Sequence, residues 1–345
     1  MRIVIPVLSL HRGGGPRVVA ESANQLVERG HDVTVVMLEG QPIAYPLKCP
    51  VRRVKQITPA DIPEADVIMP NFWPTVKPAA ESGKGRVVRF STGFEPLWVA
   101  RKEEALATYL QGFPVITLGS HHRQIIREAT GQDCFVAQPG VDGSVFRPLD
   151  RPPGQNRTVF FIYRSERHGY FYKGNRDFSA AMQLVRRHMP DVTVQVAVTE
   201  SGAYGAESPS FPFPFTPLVL EDDRAMAAAY NSAGVYVLAS WFEALSLPPL
   251  EAMACGTPAV VTDCGGVRDY VRHGENCLLC PPKRPDLLAG YILSALRDSQ
   301  VRSRLIEGGL RTAATWTWER FGDQLQDALD QIMQGRIEPA GDTDP

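Results

Sequence analysis

The sequence predicts an α/β protein with two parallel, doubly wound sheets. Short apolar segments alternate with amphipathic helical segments along nearly the whole chain, as in parallel sheets flanked by helices. The chain has 345 residues, which is too long for one small core. A polar segment rich in Pro and Gly, residues 150–157, divides it into two halves of similar size. Ligands of such sheets bind at the carboxyl ends of the strands, so we expect a cleft between the halves.

Composition and charge argue against several classes of protein. The net charge is −2, from 36 basic and 38 acidic residues, so no nucleic-acid partner is expected. No apolar run approaches the roughly 18 residues of a membrane span. The N-terminal run MRIVIPVLSL lacks a signal-peptide cleavage site and leads directly into a glycine loop, so we interpret it as a strand. These features predict a cytoplasmic protein without a transmembrane segment.

Six cysteines are scattered along the chain, and none of their spacings resembles a disulfide framework. Cys277 and Cys280 form a C-x-x-C motif, for which a zinc or redox role is one interpretation. No second such pair exists and the intervening residues are both leucine, so we favour apolar packing in a strand.

The first half opens with a strand, a glycine loop, a helix and a second strand. The strand covers Arg2–Leu8, the loop contains Gly13–Gly15, the helix ends at Gly30, and the second strand covers Asp32–Leu38. The glycines are consecutive, so this is not the dinucleotide-binding fingerprint. The loop is interpreted as a generic anion-receiving turn, and a tight turn without a ligand stays the alternative.

The alternation continues to residue 150. Further strands are predicted at Asp66–Met69, Arg86–Phe90, Val115–Leu118 and Cys134–Ala137. Helices are predicted at Val99–Leu110 and His121–Thr130. Residues 1–150 therefore form the first predicted domain.

The second half begins with a strand at Thr158–Tyr163, which ends at Arg164, and a loop leads to Lys173 and Gly174 before a helix to His188. Residues 201–217 are too rich in Pro, Gly and Ser for regular structure, so we predict an exposed loop. The remaining predicted elements are strands at Thr193–Thr199 and Val235–Ala239 and helices at Glu221–Ser232, Pro285–Asp298, Val301–Ala314 and Trp318–Met333. The second domain is predicted to cover 151–315, followed by a helix at 316–334 that packs back toward the first domain and a disordered tail at 335–345.

The segment Ser240–Asp269 carries the densest functional signal. Glu243 and Glu251 lie eight positions apart without a charge between them, and the strand Pro258–Thr262 follows. If Pro248 starts the helix, Glu243 precedes it and Glu251 lies in its first turn. Both acids would then surround a helix N-terminus, where backbone N–H groups favour an anion such as phosphate. A nucleotide-sugar site is the hypothesis, and the alternative is a pair of acids that serve only the helix dipole or a cap.

At this point the chain resembles the family-4 glycosyltransferases of the GT-B fold, the glycosyl transferases group 1. SWFEALSLPPLEAMACGTPAVVTDCGGVRD resembles the family's block of two glutamates and the glycine segments after it. Three further segments match the family pattern in chain order. They are the Gly13–Gly15 loop, PGVDGSVFRP, and Arg164 with Lys173–Gly174. The resemblance implies two facing Rossmann-like domains, the first for the acceptor and the second for the donor. It implies retaining transfer of a sugar from a nucleoside diphosphate to a hydroxyl group.

The resemblance also implies roles for individual residues. The expected catalytic residues, which contact the departing phosphate or the donor sugar, are Arg164, Lys173 and Glu243. Glu251 is expected to accept hydrogen bonds from the ribose, and further donor contacts are expected from Gly14, Gly15, Gly174, Leu245, Ser246 and Leu247. Arg167 is an alternative to Arg164 as the phosphate contact, because the loop between Arg164 and Lys173 is longer than is usual in the family. No metal site and no cofactor are expected, and the donor nucleotide is UDP, GDP or dTDP.

The acceptor is less defined. A glycan, a lipid-linked sugar or a small molecule would each suit the first domain, and peripheral membrane contact stays open. The candidate acceptor contacts are Arg12, Trp73, Phe94, Glu95 and His121.

Two departures from the family pattern bear on the donor. The loop after the strand Arg86–Phe90 lacks the histidine that many members carry, and Glu95 is a candidate replacement. Ala244 and Ser246 replace two glycines of the donor loop, which narrows the space beside the sugar. We therefore expect an unusual donor sugar. The competing hypotheses are a degenerate protein that binds a nucleotide sugar or partner without catalysis, and a sugar-nucleotide epimerase or hydrolase.

Overall fold

The computed structural model describes residues 1–149, 157–198 and 209–339, apart from the side chain of His168. Most of the predicted linker, the first part of the predicted loop at 201–217 and the last six residues of the predicted tail lie outside these ranges. The chain forms two compact units, one of Met1–Pro139 with Trp318–Pro345 and one of Gly140–Thr317. The domain boundaries predicted from the sequence were 150 and 315, so residues 140–149 fall in the second of these units rather than the first.

The first unit contains a five-stranded parallel sheet in the order β3-β2-β1-β4-β5. A three-stranded parallel ladder, β6-β7-β8, continues the same alternation of strands and helices. Its elements are β1 (Arg2–Val7), α1 (Gly14–Glu28), β2 (Asp32–Leu38), β3 (Val51–Val54), β4 (Val67–Ile68), α2 (Trp73–Ser82), β5 (Arg86–Val87), β6 (Arg89–Phe90), α3 (Lys102–Tyr109), β7 (Val115–Thr117), α4 (Ser120–Thr130) and β8 (Phe135–Val136).

Two of these elements are absent from the sequence prediction. The short strand β3 reads VRRV and exposes both arginines at the edge of the sheet, so it lacks an apolar signal. Helix α2 contains Pro74 in its first turn and Pro78 inside it, and prolines normally indicate a break.

The helix after residue 317 belongs to the first unit, together with the segment that follows it. Helix α10 (Trp318–Met333) packs against α1, where Arg29 donates to Asp323 at 2.5 Å and to the carbonyl of Glu319 at 2.8 Å. Residues 335–339 of the predicted tail are described and contain no helix or strand.

The second unit contains a six-stranded parallel sheet in the order β11-β10-β9-β12-β13-β14. The order reverses between β9 and β12, since the chain moves outward in one direction from β9 and in the other from β12. The elements are β9 (Thr158–Ile162), α5 (Asn175–His188), β10 (Thr193–Val198), β11 (Thr216–Val219), α6 (Asp223–Ser232), β12 (Val235–Leu238), α7 (Leu247–Ala254), β13 (Ala259–Thr262), β14 (Leu278–Cys280), α8 (Pro285–Arg297) and α9 (Ser299–Thr315).

The core of the second unit includes residues of the predicted loop at 201–217 and of the C-x-x-C motif. Phe161 on β9 stacks on Phe178 of α5 at 3.9 Å between ring centroids, and Phe211 and Phe213 pack around them. The predicted irregular loop at 201–217 is therefore wrong at its end, where the chain enters this core and then forms β11 from Thr216. The side chains of Cys277 and Cys280 are also fully buried beside this sheet.

The α/β class with parallel sheets is confirmed in both units. One position within the second unit is corrected. Helix α7 begins at Leu247 rather than at Pro248, so Glu251 is its fifth residue and lies beyond the first turn.

Candidate functional site

The predicted donor residues of the second unit meet at the carboxyl ends of β9 and β12. These strands are neighbours, and the strand order reverses between them. Such a switch point leaves a crevice, because the helices that follow the two strands leave on opposite faces of the sheet. The loop from Tyr163 to Gly174 comes from β9, and the loop from Ala239 to Ser246 comes from β12.

Gly174 joins these two loops. Its φ of +68° lies in the left-handed region, and a Cβ at this position would overlap the carbonyl oxygen of Ala239. Only glycine allows this approach without movement of the backbone. A second link is the hydrogen bond of 2.7 Å from the N–H of Trp241 to the carbonyl of Tyr172. Together these contacts bring Lys173 to the end of β12.

Lys173 and Glu243 form an ion pair across the two loops. The Lys173 Nζ lies 2.6 Å from Glu243 Oε1, and their side chains are 23% and 13% exposed. The same Oε1 accepts a hydrogen bond of 2.7 Å from the hydroxyl of Ser240. Glu243 Oε2 has no hydrogen-bond partner in the part of the chain that the structure describes. A partly buried carboxylate with one open acceptor is suited to a hydroxyl of a ligand.

The donor loop Ala244–Ser246 is fixed against the turn after β13. A Cβ on Gly266 would lie 2.6 Å from the carbonyl oxygen of Glu243 and from the nitrogen of Leu245, so the turn must be glycine there. The N–H of Glu243 donates to Cys264 at 3.0 Å, and the Tyr270 hydroxyl donates to the Ser246 carbonyl at 2.8 Å.

Ser246 takes a backbone conformation that usually requires glycine. Its φ is +77°, and it is the N-cap of α7. This region costs a non-glycine residue on the order of 1 kcal/mol. Ser246 stands where the family that the chain resembles has a glycine in its donor loop. The backbone keeps the positive φ that a glycine would adopt, although the residue is a serine.

Backbone donors gather at the start of α7. Among the described residues, no acceptor lies within hydrogen-bond distance of the N–H groups of Leu245, Ser246 and Leu247. The next two residues, Pro248 and Pro249, have no N–H to offer. Unsatisfied N–H groups at a helix N-terminus favour a bound anion.

Glu251 lies one turn deeper, on the side of α6. It is 8% exposed and accepts a hydrogen bond of 2.8 Å from the Tyr230 hydroxyl. Burial raises the pKa of Tyr230 well above its ordinary value, and the carboxylate of Glu251 raises it further. Tyr230 therefore stays a neutral donor that orients Glu251.

The buried phenol of Tyr236, on β12, shows how close three predicted residues are to one another. Burial raises its pKa well above the ordinary value, and the carboxylates of Glu251 and Glu243 raise it further, whereas the guanidinium of Arg164 opposes them. All three charges therefore act on one ring within β12.

The choice between Arg164 and Arg167 is informed by their surroundings. Arg164 is half-buried directly after β9, and its carbonyl accepts from the Asn175 side chain at 2.8 Å. Arg167 is exposed in a short 3-10 turn, Glu166–His168. The positive charge of Arg164 opposes the rise in the pKa of the buried phenols of Tyr236 and Tyr172.

In the first unit, Gly14 and Gly15 form the N-terminus of α1. Space around Gly14 is open, and a Cβ on Gly15 would lie 3.2 Å from the Thr92 hydroxyl. Thr92 in turn accepts a hydrogen bond of 3.1 Å from the side chain of Asn71. Asn71 and Thr92 follow strands β4 and β6, so three carboxyl-end loops meet at this glycine turn.

Three predicted acceptor contacts are only partly buried. The Arg12 guanidinium lies 5.9 Å from the ring centroid of Tyr45, and the Arg101 guanidinium lies 5.3 Å from that of Trp73. His121 is the second residue of α4 and is half-buried. Part of each of these three side chains is open to solvent, and their contact with an acceptor stays a prediction.

Phe94 and Glu95 occupy different surroundings from those expected of acceptor contacts. Phe94 packs in a core cluster with Tyr109, and Glu95 is buried in an ion pair with Arg89. The Tyr109 hydroxyl also donates to Glu95. A carboxylate held in this way serves the fold of its loop, and this argues against Glu95 as a replacement for the missing histidine.

A histidine nevertheless reaches this loop from another element. His122 of α4 is buried, and its Nε2 lies 3.2 Å from the Ser91 hydroxyl. Burial lowers the pKa of His122 to about 3, and the nearby charges of His121 and Arg89 act in the same direction. The sequence contained no signal for this contact, because the two residues are 31 positions apart.

Sequence reasoning also missed Ser240, which orients Glu243, and Tyr230, which orients Glu251. Ser240 opens the segment Ser240–Asp269 but was given no role in it, and Tyr230 lies outside any motif that we interpreted. Over the described ranges, no group of three or more His, Cys, Asp or Glu side chains is arranged to hold a metal ion. In those same ranges, none of the helices has the length and apolar character needed to span a bilayer.

Comparisons with known proteins agree with this geometry. Residues 219–312 match the family described as glycosyl transferases group 1. D-inositol 3-phosphate glycosyltransferase of Jonesia denitrificans is 29% identical over 225 residues, which covers 60% of this chain and 53% of that protein. The O-antigen biosynthesis protein RfbC of Myxococcus xanthus is 30% identical over 248 residues, which covers 70% of this chain and 19% of that protein. The chain thus spans about half the length of the first relative and a fifth of the second.

The architecture also has a close counterpart among solved structures. That of Anabaena Alr3699/HepE in complex with UDP-glucose has a TM-score of 0.78, is 16% identical and covers 96% of this chain and all of that one. At 16% identity this similarity shows the fold alone. Residues 219–312 thus match the group 1 glycosyl transferases, and the likeness in fold to HepE extends along almost the whole chain.

Proposed function

We propose that the protein is a retaining, metal-independent glycosyltransferase that moves a sugar from a nucleoside-diphosphate sugar to an acceptor hydroxyl. The observation that carries this proposal is the Lys173–Glu243 pair beside the N-terminus of α7, where three backbone N–H groups have no acceptor among the described residues. Cations and N–H groups suit a diphosphate, and the adjoining carboxylates suit sugar hydroxyls.

The diphosphate is bound by the start of α7. Its negative charge increases as the bond to the sugar breaks, so groups that hold it favour the transition state over the ground state. Lys173 and Arg164 supply two positive charges, and Leu245, Ser246 and Leu247 supply N–H donors. Protein charges thus do the work for which other enzymes use a metal ion, and this is the basis for proposing metal independence.

The two glutamates bind different parts of the donor. Glu251, oriented by Tyr230, accepts hydrogen bonds from the ribose hydroxyls. Glu243, with one oxygen occupied by Lys173 and Ser240, accepts from a hydroxyl of the transferred sugar through the other.

The proposed step needs no nucleophile from the protein. The acceptor oxygen attacks the anomeric carbon on the face from which the diphosphate departs. The carbon–oxygen bond to the phosphate breaks, the new glycosidic bond forms, and the acceptor proton passes to a phosphate oxygen. Attack and departure on one face retain the anomeric configuration.

The donor nucleotide is proposed to be UDP, GDP or dTDP, and UDP is the first to test because HepE was solved with UDP-glucose. The Ser246 side chain stands where a glycine would leave space, which supports a donor sugar that lacks one bulky substituent.

The test is release of nucleoside diphosphate from UDP-glucose, UDP-N-acetylglucosamine, GDP-mannose and dTDP-rhamnose, with and without EDTA. We expect one donor to be turned over, slowly by water and faster with an accepted sugar, at the same rate in EDTA. Loss of turnover in EDTA would contradict metal independence. Nucleotide binding without turnover of any donor would support a degenerate binding protein instead.

A further inference from the structure

Five aromatic side chains form a continuous surface beside the Lys173–Glu243 pair. We call this surface the aromatic platform, and its members are Tyr170, Phe171, Tyr172, Trp241 and Phe242. They come from the same two loops that carry the ion pair, and each is at least partly exposed. Phe171, the most exposed, keeps 44% of its surface open.

The rings of the platform contact one another directly. Tyr172 stacks on Phe242 at 4.2 Å with an interplanar angle of 24°. Phe171 lies edge-on to Tyr172 at 5.6 Å, to Phe242 at 6.3 Å and to Trp241 at 6.5 Å. Phe171 is therefore the centre of the exposed side, and the other rings support it.

Polar contacts fix the platform in place. The indole N–H of Trp241 donates to Asp177 of α5 at 2.7 Å, and its backbone N–H donates to Tyr172. Lys283, at the end of β14, lies 4.3 Å from the Trp241 ring centroid. Lys283 holds a φ of +60°, an unusual conformation for a lysine. A platform held from three sides loses little freedom when it binds a ligand.

The position of the platform relates it to the sugar-handling residues. Tyr172 directly precedes Lys173, and Phe242 directly precedes Glu243. The platform therefore lies next to the ion pair on the side of α5, where Trp241 contacts Asp177. Glu251 lies on the other side, where it contacts Tyr230 of α6. A ligand on the platform would extend away from the ribose contact and toward the face of α5.

The chemistry of the surface indicates a carbohydrate. One face of a pyranose ring presents C–H groups that pack on an aromatic ring, while its hydroxyl groups need polar partners at the rim. The residues next to those that hold Trp241 have mixed charges: Arg176, beside Asp177, pairs with Glu166, and Arg284, beside Lys283, pairs with Asp286. Such a mixture would not attract an anionic lipid surface, which favours clustered basic residues.

We propose that the aromatic platform binds a pyranose chain, the glycan part of the acceptor or product, next to the site of transfer. This inference rests on the proposed function for its role in the reaction. Binding itself needs only the rings, with Phe171 as the central contact. The substrate class is therefore an oligosaccharide or a glycan-bearing acceptor rather than a small aglycone.

The test is saturation-transfer NMR on the full chain with cellotriose, maltotriose, mannotriose and chitotriose. We expect at least one trisaccharide to bind, and Phe171→Ala to raise its Kd about tenfold. Phe171→Leu keeps apolar bulk but has no aromatic face, so it should weaken binding as much. Leu149→Ala, at an equally exposed apolar position, is the matched control and should bind like the wild type.

Three outcomes would overturn the proposal. They are no binding of any trisaccharide, unchanged binding by Phe171→Ala, and binding to phosphatidylglycerol vesicles that Phe171→Ala abolishes and Phe171→Leu retains. Titration of the same wild-type sample with UDP, GDP and dTDP keeps the two proposals apart. A protein that binds UDP but no trisaccharide refutes the platform alone, and one that binds a trisaccharide but no nucleotide refutes the proposed function.

Discussion

The Nζ of Lys173 lies 2.6 Å from Oε1 of Glu243, which is 70 positions later in the chain. This ion pair connects the loops after β9 and β12, at the point where the strand order of the second unit reverses. Removal of either partner would leave a partly buried charge without its counter-ion, so the two residues should depend on each other. The pair also prepares the site, since it holds a cation next to the N–H groups of α7.

The role of Lys173 is testable by a charge-removing substitution of similar length. Lys173→Met should lower kcat by about 100-fold to 1,000-fold, because a preformed charge that meets the departing phosphate is lost. KM for the donor should change much less. Steady-state kinetics would check this, with Lys102→Met, on the first turn of α3, as a control that should behave like the wild type.

Glu243→Gln tests whether this residue contacts the sugar of the donor or its nucleotide. The amide keeps the shape of the side chain but loses the charge that receives a sugar hydroxyl. We expect the Kd of the complete donor to rise about tenfold, whereas the Kd of the nucleoside diphosphate alone changes by less than about threefold. Calorimetric titration with both ligands gives the comparison. Equal losses for the two ligands would mean that Glu243 does not face the sugar.

Arg164 and Arg167 give opposite expectations. Arg164→Ala should lower turnover by about 100-fold, since this half-buried residue supplies the second cation of the site. Arg167→Ala, in the exposed turn, should retain wild-type turnover. The reverse result from the same kinetic assay would move the phosphate contact to Arg167.

Gly174 is predicted to be required for the fold of the site. Gly174→Ala adds a Cβ that overlaps the carbonyl of Ala239, at a residue whose backbone is in the left-handed region. The substitution should destabilise the protein by about 3 kcal/mol. Gly274→Ala is the matched control, because Gly274 has a similar φ of +76° with open space around it. It should cost only about 1 kcal/mol. Urea unfolding followed by tryptophan fluorescence would measure both.

His122 should make stability depend on pH. The unfolded chain binds a proton on this imidazole near pH 6.5, whereas burial in the folded state lowers its pKa to about 3. The folded state therefore loses stability as the pH falls from 6.5 toward 3, by about 2 kcal/mol at pH 5. His122→Gln should reduce the difference between urea midpoints at pH 7 and pH 5. The exposed His188→Gln should leave it unchanged.

The sequence predicted where the candidate donor residues lie along the fold better than it predicted their contacts. Lys173, Gly174 and Glu243 stand in segments with strong local signals, so their placement in the loops after β9 and β12 followed from the order of the elements. The bond from Ser240 to Glu243 and that from Tyr230 to Glu251 depend on three-dimensional packing. No spacing along the chain encodes them.

The expectations for the first unit failed where a charge is buried. Arg89 lies inside the predicted strand Arg86–Phe90 and was given no role there, yet it is fully buried and paired with Glu95. A buried ion pair within one loop cannot be told from two exposed charges by sequence alone. Glu95 was expected at the acceptor site for this reason, whereas the structure buries it against Arg89. Phe94, also expected there, packs in the core of the same loop with Tyr109, and an exposed aromatic cannot be told from a core aromatic by its residue type.

The central claim is that the carboxyl ends of β9 and β12 bind a nucleoside diphosphate. The most direct measurement is calorimetric titration of the wild type, Glu251→Gln and Glu307→Gln with UDP, GDP and dTDP. We predict that one nucleotide binds the wild type, that Glu251→Gln raises its Kd at least about tenfold, and that Glu307→Gln, on the exposed face of α9, leaves it unchanged. The account would be contradicted if no nucleoside diphosphate bound the wild type, or if Glu251→Gln bound it with wild-type affinity.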